Sequence, residues 1–238
     1  MVLTPEEIYL RLERILPTVQ KPGRYTGGEL NQVVKDWDAV GYKVVMAFPD
    51  LYDIGMSNLG WMIHYDIINK HRNLLAERVF CPWDDMEAAM REAGIPLFSL
   101  ETKHPIRDFD MLAMTLPYEQ LFTNALNLID LAGMPVRSAD RDASYPLVVA
   151  GGHACYNPEP MAPFIDVFVI GEGEEVLLEI IATMRAAAHL DRQTQLRHVA
   201  GITGCYVPRF YDVAYHDDGT VAAITPNVPE APHRVLKA

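Results

Sequence analysis

Four loops of the sequence contain the residues best suited to bind a ligand. Each follows a short apolar run typical of a buried parallel strand, and the carboxyl ends of such strands meet at one edge of an open α/β sheet, where ligands bind. Paired glycines in these loops let a flat ligand or a backbone approach closely. A single loop of this kind is most simply a tight turn, but four at one edge predict a pocket. The loops are residues 50–60, 115–119, 151–160 and 171–175.

The fourth loop does not have the pattern of a dinucleotide site. Its Gly171-Glu172-Gly173 is followed by Glu174 and Glu175, and carboxylates at the start of a helix repel a pyrophosphate. The sequence also lacks the G-x-x-x-x-G-K-[ST] phosphate loop. NAD and nucleoside triphosphates are therefore poor candidates.

A hydrolase or a metal site is indicated less well than a cofactor pocket. Cys155 follows His153 by two residues, but neighbours in a loop rarely meet side chain to side chain, and the context is neither G-x-S-x-G nor papain-like. A free-standing hydrolase using Cys155 stays a minor alternative. The histidines have no ligand spacing. His64 falls among the apolar positions of its helix, which predicts a core residue.

Alternating strand and helix patterns predict the scaffold of these loops. The expected fold is α/β: a Rossmann-like, doubly wound, mostly parallel sheet with flanking helices, an amino-terminal helical extension and a small carboxyl-terminal β-hairpin region. At least four strands should be parallel, with right-handed crossovers. The predicted strands are residues 44–48, 77–80, 97–100, 109–116, 147–150 and 167–170, and the predicted helices are 58–69, 84–93, 119–131, 174–188 and 191–200.

The two ends of the chain differ from this alternating core. Thr4 and Glu7 have the spacing of a capping box at a helix start, and Asp84 is expected to cap the helix that follows it. Residues 205–215 and 221–225 flank a Gly-containing turn, which predicts a hairpin. Three regions follow: an amino-terminal helix and extension packed on the core (1–42), the Rossmann-like ligand-binding domain (43–190), and a helix, hairpin and linker (191–238).

Composition excludes several functional classes. Half of the 238 residues are hydrophobic and 22% are charged, an ordinary globular composition. No apolar run reaches the roughly 18 residues of a membrane span, and the first residues are acidic where a signal peptide is basic, so we expect a cytoplasmic protein that binds no membrane. The net charge of −12 disfavours nucleic-acid binding. Cys81, Cys155 and Cys205 lie far apart, which predicts buried thiols rather than disulfides or metal ligands.

Several motifs carry a resemblance to one group of proteins. The chain resembles, over nearly its whole length, the amino-terminal half of cobalamin-type radical SAM proteins, with a B12-binding-like domain. The pair G-G-x-x-x-x-N-P-E-P and I-G-E-G-E-E is fairly specific to such proteins. The segments that match are F-P-D-L-Y-D-I-G-M-S-N-L-G (48–60), G-G-H-A-C-Y-N-P-E-P (151–160), D-V-F-V-I-G-E-G-E-E (166–175), K-P-G-R-Y-T-G-G-E (21–29), and I-P-L-F-S-L-E (95–101) followed by R-D-F-D (107–110).

The resemblance implies a cobalamin site. Its pattern is D-x-H-x-x-G after the first strand, Ser or Thr with Leu after the third, and G-G after the fourth. Asp50 and Gly55 match the first element, but Tyr52 replaces the histidine, and a phenol is a far weaker cobalt ligand than an imidazole. We therefore expect no histidine ligand from this motif. The residues implied to bind the cofactor are Asp50, Tyr52, Gly55, Ser57, Thr115, Leu116, Gly151, Gly152, Gly171, Glu172 and Gly173.

Radical SAM chemistry needs Cys-x3-Cys-x2-Cys to hold a [4Fe–4S] cluster that binds SAM at its open iron. This chain has no such motif, so the chain alone is not expected to cleave SAM. The resemblance implies a radical SAM domain carboxyl-terminal to this chain as the partner, to which the chain presents cobalamin or whose active site it shapes. The alternative is a degenerate domain that binds no cofactor and serves as a docking module.

Overall fold

The chain folds around one large sheet, with a small sheet beside it. The computed structural model describes residues 3–238, and in that part the strands are β1 (Tyr42–Phe48), β2 (Leu74–Phe80), β3 (Met111–Thr115), β4 (Leu147–Gly151), β5 (Val167–Val169), β6 (Cys205–Tyr206), β7 (Tyr211–Tyr215) and β8 (Val221–Pro226). The large sheet has the order β2-β1-β3-β4-β5-β6. Its first five strands run parallel and β6 is antiparallel to β5. The predicted α/β class and mostly parallel sheet are therefore confirmed.

Helices cover both faces of the large sheet. They are α1 (Pro5–Ile15), α2 (Gly23–Thr26), α3 (Tyr52–Gly55), α4 (Leu59–Lys70), α5 (Asp84–Ala93), α6 (Phe122–Leu131), α7 (Gly173–Ala186) and α8 (Arg192–Ala200). From β1 the chain crosses to β2 at one edge of the sheet, whereas from β2 to β3 and from β3 to β4 it moves toward the opposite edge. Right-handed crossovers therefore put α4 on one face and α5 and α6 on the opposite face. Helix α7 packs against α4, so these two share a face.

Side-chain caps explain where three helices begin. Thr4 Oγ1 accepts a hydrogen bond from Glu7 N (3.3 Å), and the Glu7 carboxylate accepts one from Thr4 N (2.9 Å), which confirms the predicted capping box. Asn58 Oδ1 accepts from Trp61 N (2.9 Å) at the start of α4. Asp191 caps α8 in the same way. Helix α5 differs from the prediction, because Trp83 occupies the cap position and Asp84 is the first helical residue.

Two strand predictions were wrong. Residues 97–100 do not form a strand; Phe98 makes one isolated antiparallel bridge to Pro105, and Leu97 N donates to Leu131 O (2.8 Å) at the end of α6 instead. The predicted strand 205–215 is two strands. Pro208, which has no N–H to donate, lies in a 3₁₀ turn between them, so β6 joins the large sheet while β7 pairs with β8.

The amino-terminal segment and the hairpin region both attach to the helices and loops around the sheet through polar contacts. Arg11 Nη1 donates to Ala93 O (2.9 Å) at the end of α5. Lys35 Nζ donates to the carbonyls of Asn69 and His71 (both 2.9 Å) at the end of α4. From the hairpin side, Arg209 Nη2 donates to Ser138 O (2.9 Å). None of the helices of residues 3–238 is long and apolar enough to cross a membrane.

Candidate functional site

A cavity of about 450 Å³ lies at the carboxyl ends of the parallel strands, between α4 and α7. It includes the position between β1 and β3 where the strand order reverses, the point at which open α/β sheets bind ligands. All four predicted loops reach it. It is lined by Met46, Asn58, Gly60, Trp61, His64, Ala113, Met114, Thr115, Pro117, Val149, Gly151, Gly152, His153, Tyr156, Val169, Gly171, Glu172, Gly173, Glu174, Leu177 and Lys237.

The predicted site residues divide into two groups. Six of them line the cavity, and they come from the second, third and fourth loops: Thr115, Gly151, Gly152, Gly171, Glu172 and Gly173. The other five do not line it. These are Leu116 and the four residues predicted from the first loop: Asp50, Tyr52, Gly55 and Ser57.

Tyr52, at the position of the motif's histidine, points away from the cavity. Its hydroxyl donates to Glu29 Oε1 (2.7 Å), and its ring packs edge-on against Phe80 at 5.4 Å between centroids. Burial, and then the hydrogen bond to Glu29, raise the pKa of Tyr52 to about 12. The side chain is therefore a neutral phenol with its proton committed to another residue.

The other residues of the first loop hold the loop in shape. The Asp50 carboxylate accepts from its neighbour Leu51 N (2.7 Å) and from the Tyr118 hydroxyl (3.2 Å). Ser57 Oγ donates to Ile54 O (2.8 Å). At Gly55, a Cβ atom would lie less than 3.0 Å from the Phe80 ring, so this glycine lets α3 pack on the sheet.

The two glycines after β4 have different surroundings. A Cβ atom on Gly151 would meet only Val169, at 3.9 Å, an ordinary contact, so the empty space there belongs to the cavity. Gly152 has φ 107° and ψ 176°, a conformation open essentially to glycine alone. A Cβ atom on Gly152 would lie 2.6 Å from Leu116 O. Leu116 in turn donates its N–H to Gly151 O (2.7 Å), which joins the second loop to the third.

Lys237 forms part of the cavity wall, and Ala238 binds the neighbouring loop. Ala238 N donates to Ile170 O (2.9 Å), which holds this segment against the fourth loop. Lys237 lines the cavity, and its Nζ lies 3.2 Å from Glu172 Oε1, an exposed ion pair. The cavity wall thus includes a segment that follows the hairpin in the chain.

Sequence reasoning missed the contribution of α4. His64 was predicted to be a core residue, but it is half-buried and lines the cavity together with Gly60 and Trp61. Positions 60, 61 and 64 share one face of the helix that starts directly after the first loop. Their spacing after a strand-end loop is the signal that could have identified this wall.

The described residues do not form the side-chain arrangement that a hydrolase or a metal site requires. Cys155 is buried, and burial raises the pKa of its thiol to about 12, so it is not a thiolate nucleophile at neutral pH. No cluster of three or more His, Cys, Asp or Glu side chains suited to a metal occurs in residues 3–238.

Comparison with known proteins gives one relative and one family. The chain is 28% identical over 141 residues to "Uncharacterized protein MJ0966" of Methanocaldococcus jannaschii. The aligned segment covers 58% of this chain and 26% of that protein, so the match spans about a quarter of the relative's length. No solved structure matches the chain. Residues 60–208, which run from the start of α4 to the end of the large sheet, match the family described as "Radical SAM proteins, N-terminal", and the chain belongs to this family.

Proposed function

We propose that this chain is the cofactor-binding domain of a radical SAM protein and that it binds cobalamin, with the nucleotide tail in the cavity. The observation that carries this proposal is the 450 Å³ cavity between the sheet and the helices α4 and α7, where four strand-end loops meet. Its volume is in the range of small-molecule sites, about 300–1,000 Å³. Membership of the radical SAM N-terminal family supports the same reading.

The residues that line the cavity fit the nucleotide tail of a corrinoid whose ring stays outside the cavity. Gly151 leaves space beside Val169 at the end of β4, and Thr115 lines the same cavity. The residues that would hold the base and the ribose of the tail are Thr115, Gly151, Gly152 and the loop 171–173. The cavity suits the nucleotide tail rather than the whole corrinoid, so the corrin ring would lie outside, over the loops at the cavity mouth.

The first loop does not fit the role of a cobalt ligand. The Tyr52 hydroxyl donates to Glu29 and keeps its proton. The proposal therefore assigns binding to the tail and leaves the lower face of the corrin without a ligand from position 52. Bound cobalamin would supply a cobalt centre able to take up and transfer a methyl group or an electron.

The partner in this proposal is the radical SAM domain of the same protein, which carries the [4Fe–4S] cluster and SAM. The three cysteines Cys81, Cys155 and Cys205 are all buried in this chain, and their spacing does not suit a cluster. This chain would orient the corrin toward that domain and exclude water from the tail. The activity of the whole protein then depends on both domains.

A docking module without a cofactor is the second candidate. Large apolar side chains lie exposed around the cavity, at the start of α4 and on two loops: Leu59 is 73% exposed, Tyr156 is 56% exposed and Tyr118 is 38% exposed. Exposed apolar groups of this size favour contact with another surface. The same loops would meet a neighbouring domain whether or not a corrin lies between them.

Reconstitution with hydroxocobalamin separates the two candidates. We expect the protein to stay red after desalting, with an absorbance spectrum that corresponds to one bound cobalamin per protein chain. Gly151→Val should abolish retention because it fills the cavity, and Gly23→Val is the matched control, since Gly23 has an ordinary φ and open space around it. A colourless wild-type protein would overturn the cofactor proposal in favour of docking. If Gly151→Val retained as much cobalamin as the wild type, the cofactor would have to bind outside this cavity.

A further inference from the structure

The His64 ring has a defined tautomer. Its Nδ1 lies 2.7 Å from Gly60 O, and a carbonyl oxygen can only accept a hydrogen bond, so Nδ1 carries the hydrogen. In the neutral ring, Nε2 is then left with a lone pair. A backbone carbonyl fixes the ring orientation of metal-binding histidines in the same way, with the second nitrogen as the ligand.

The structure keeps space for this ring on the neighbouring helix. A Cβ atom on Gly173 would lie less than 3.0 Å from His64 Nε2. Gly173 is the first residue of α7 and has an ordinary φ, so its backbone does not require glycine. Glycine is also a poorer helix former than alanine, by about 1 kcal/mol in a helix interior. A side chain at position 173 would therefore force the His64 ring to move.

The same wall contains a second polar group without a partner. Trp61 lies one turn before His64 on α4 and borders the cavity. Its side chain is fully buried, and its indole Nε1 has no hydrogen-bond acceptor. Buried donors of this kind are costly to leave unpaired. Trp61 and His64 thus line the cavity from one face of α4, with the indole Nε1 shielded from solvent inside the protein.

We propose that His64 Nε2 accepts a hydrogen bond from a ribose hydroxyl of the nucleotide tail, and so makes binding selective for corrinoids that have the tail. This inference rests on the proposed function. Because Nε2 is an acceptor, its partner must be a donor. In the tail, the phosphate and the base offer only acceptors, whereas the ribose carries free hydroxyls. Among the groups that cobinamide lacks, ribose is therefore the one that His64 can recognise.

Two corrinoids and two substitutions at one position test this inference. Aquocobalamin has the nucleotide tail and aquocobinamide lacks it. His64→Phe keeps a ring of similar shape against Gly173 but has no lone pair, whereas His64→Gln retains a side-chain acceptor. His71→Phe is the matched control, because His71 is exposed at the end of the same helix and outside the cavity. The dissociation constants are measured by equilibrium dialysis from corrin absorbance, with thermal unfolding as the check on folding.

We expect His64→Phe to bind cobalamin about tenfold more weakly, the value of one hydrogen bond, and to bind cobinamide as the wild type does. His64→Gln should recover part of the loss, and His71→Phe should change neither constant. Unchanged cobalamin affinity in His64→Phe overturns the inference while leaving cobalamin binding intact. An equal loss for both corrinoids also overturns it, since His64 would then contact the corrin or the cobalt. If the wild type binds neither corrinoid, the proposed function itself fails.

Discussion

At the scale of single residues, neighbouring glycines that look alike in the sequence have different functions. Gly151 and Gly152 form one G-G pair. The structure separates them, because the space beside Gly151 is open and the space beside Gly152 is filled by the Leu116 carbonyl. Gly151 is thus a residue of the cavity, while Gly152 connects two loops through its backbone conformation.

Alanine at each of the two positions should separate these functions. Gly152→Ala forces a side chain into a conformation that only glycine adopts readily, and we expect it to lower the free energy of unfolding by about 2 kcal/mol or more. Gly151→Ala should change it by less than about 0.5 kcal/mol. Urea denaturation of both variants measures the difference. Equal stabilities would contradict the separation.

The sequence predicted six residues of the cavity wall, but it could not predict that the four residues chosen from the first loop lie outside the cavity. Glycine pairs and strand ends follow from local patterns, so the second, third and fourth loops were accessible to this reasoning. The direction of Tyr52 is decided by Glu29, which is 23 residues away in the chain. A contact of that kind depends on tertiary packing and leaves no local pattern.

At the scale of elements, β2 illustrates how an edge strand is protected. All seven of its residues are buried although it lies at the edge of the sheet. Arg78 Nε donates to Glu101 Oε1 (2.6 Å), with both side chains fully buried, and Arg78 Nη1 donates to Asn31 Oδ1 (3.1 Å). The edge is thereby covered by residues from both the amino-terminal segment and the loop after α5, which blocks pairing with another chain.

The prediction of β2 was too short at its amino-terminal end. Only residues 77–80 were expected to form the strand, and they include the charged residues Glu77 and Arg78. In the structure it begins at Leu74. Buried charges need partners, and here the partners lie more than 20 residues further along the chain, at Glu101 and Thr102.

The carboxyl group of Glu77 should make stability depend on pH. Burial raises its pKa from 4.5 to about 7. The native state therefore binds this proton more tightly than the unfolded state, so the contribution is fully present below pH 4.5 and is lost as the pH rises to about 7. The decline is at most about 1.4 kcal/mol per pH unit.

Glu77→Gln tests this dependence, because glutamine is neutral at every pH and keeps an acceptor for the Thr102 hydroxyl. We expect a flatter stability profile between pH 5 and 7 than in the wild type, measured by urea denaturation at pH values spaced across that window. Parallel profiles for the two proteins would show that another group is responsible.

A second buried ion pair joins the hairpin region to the sheet. Asp166 Oδ2 accepts from Arg141 Nη2 (3.1 Å) and from Val148 N (2.9 Å), and Asp166 Oδ1 lies 3.6 Å from Arg209 Nη2. The side chains of Asp166 and Arg141 are almost completely buried. Removing one charge of such a pair leaves the other without compensation.

Asp166→Asn should therefore lower the free energy of unfolding by about 3–5 kcal/mol. Glu230→Gln is the matched control: the Arg197–Glu230 pair has a similar distance of 3.0 Å, but its side chains are 36% and 42% exposed. Exposed pairs contribute about 1 kcal/mol or less. Urea denaturation compares the two variants, and similar losses would argue against the special role of the buried pair.

At the scale of the whole molecule, three separate parts of the chain meet at the cavity. The sheet contributes the floor, α4 and α7 form two walls, and Lys237 from the segment 235–238 lines the side beside the fourth loop. This segment follows the hairpin and fits against Gly171 and Gly204, where Cβ atoms would lie 2.6 Å from Ala238. A bound ligand and the position of this segment should therefore affect each other.

The fit of residues 235–238 depends on the missing side chain at Gly204. Gly204→Ala would place a Cβ atom 2.6 Å from that of Ala238, so we expect residues 235–238 to move away from Gly204. Their amides should then exchange with deuterium faster, above all the Ala238 N–H that donates to Ile170 O. Gly219→Ala is the control for the backbone cost alone, because φ is 83° there against 85° at Gly204 and no atom lies within 4 Å. Hydrogen exchange followed by mass spectrometry compares the segment in both variants.

Since Lys237 lines the cavity, release of the segment should also weaken cobalamin retention in Gly204→Ala and leave it unchanged in Gly219→Ala. Equal exchange in the two variants would mean that backbone strain, and not contact with residue 238, determines how this wall of the cavity is held.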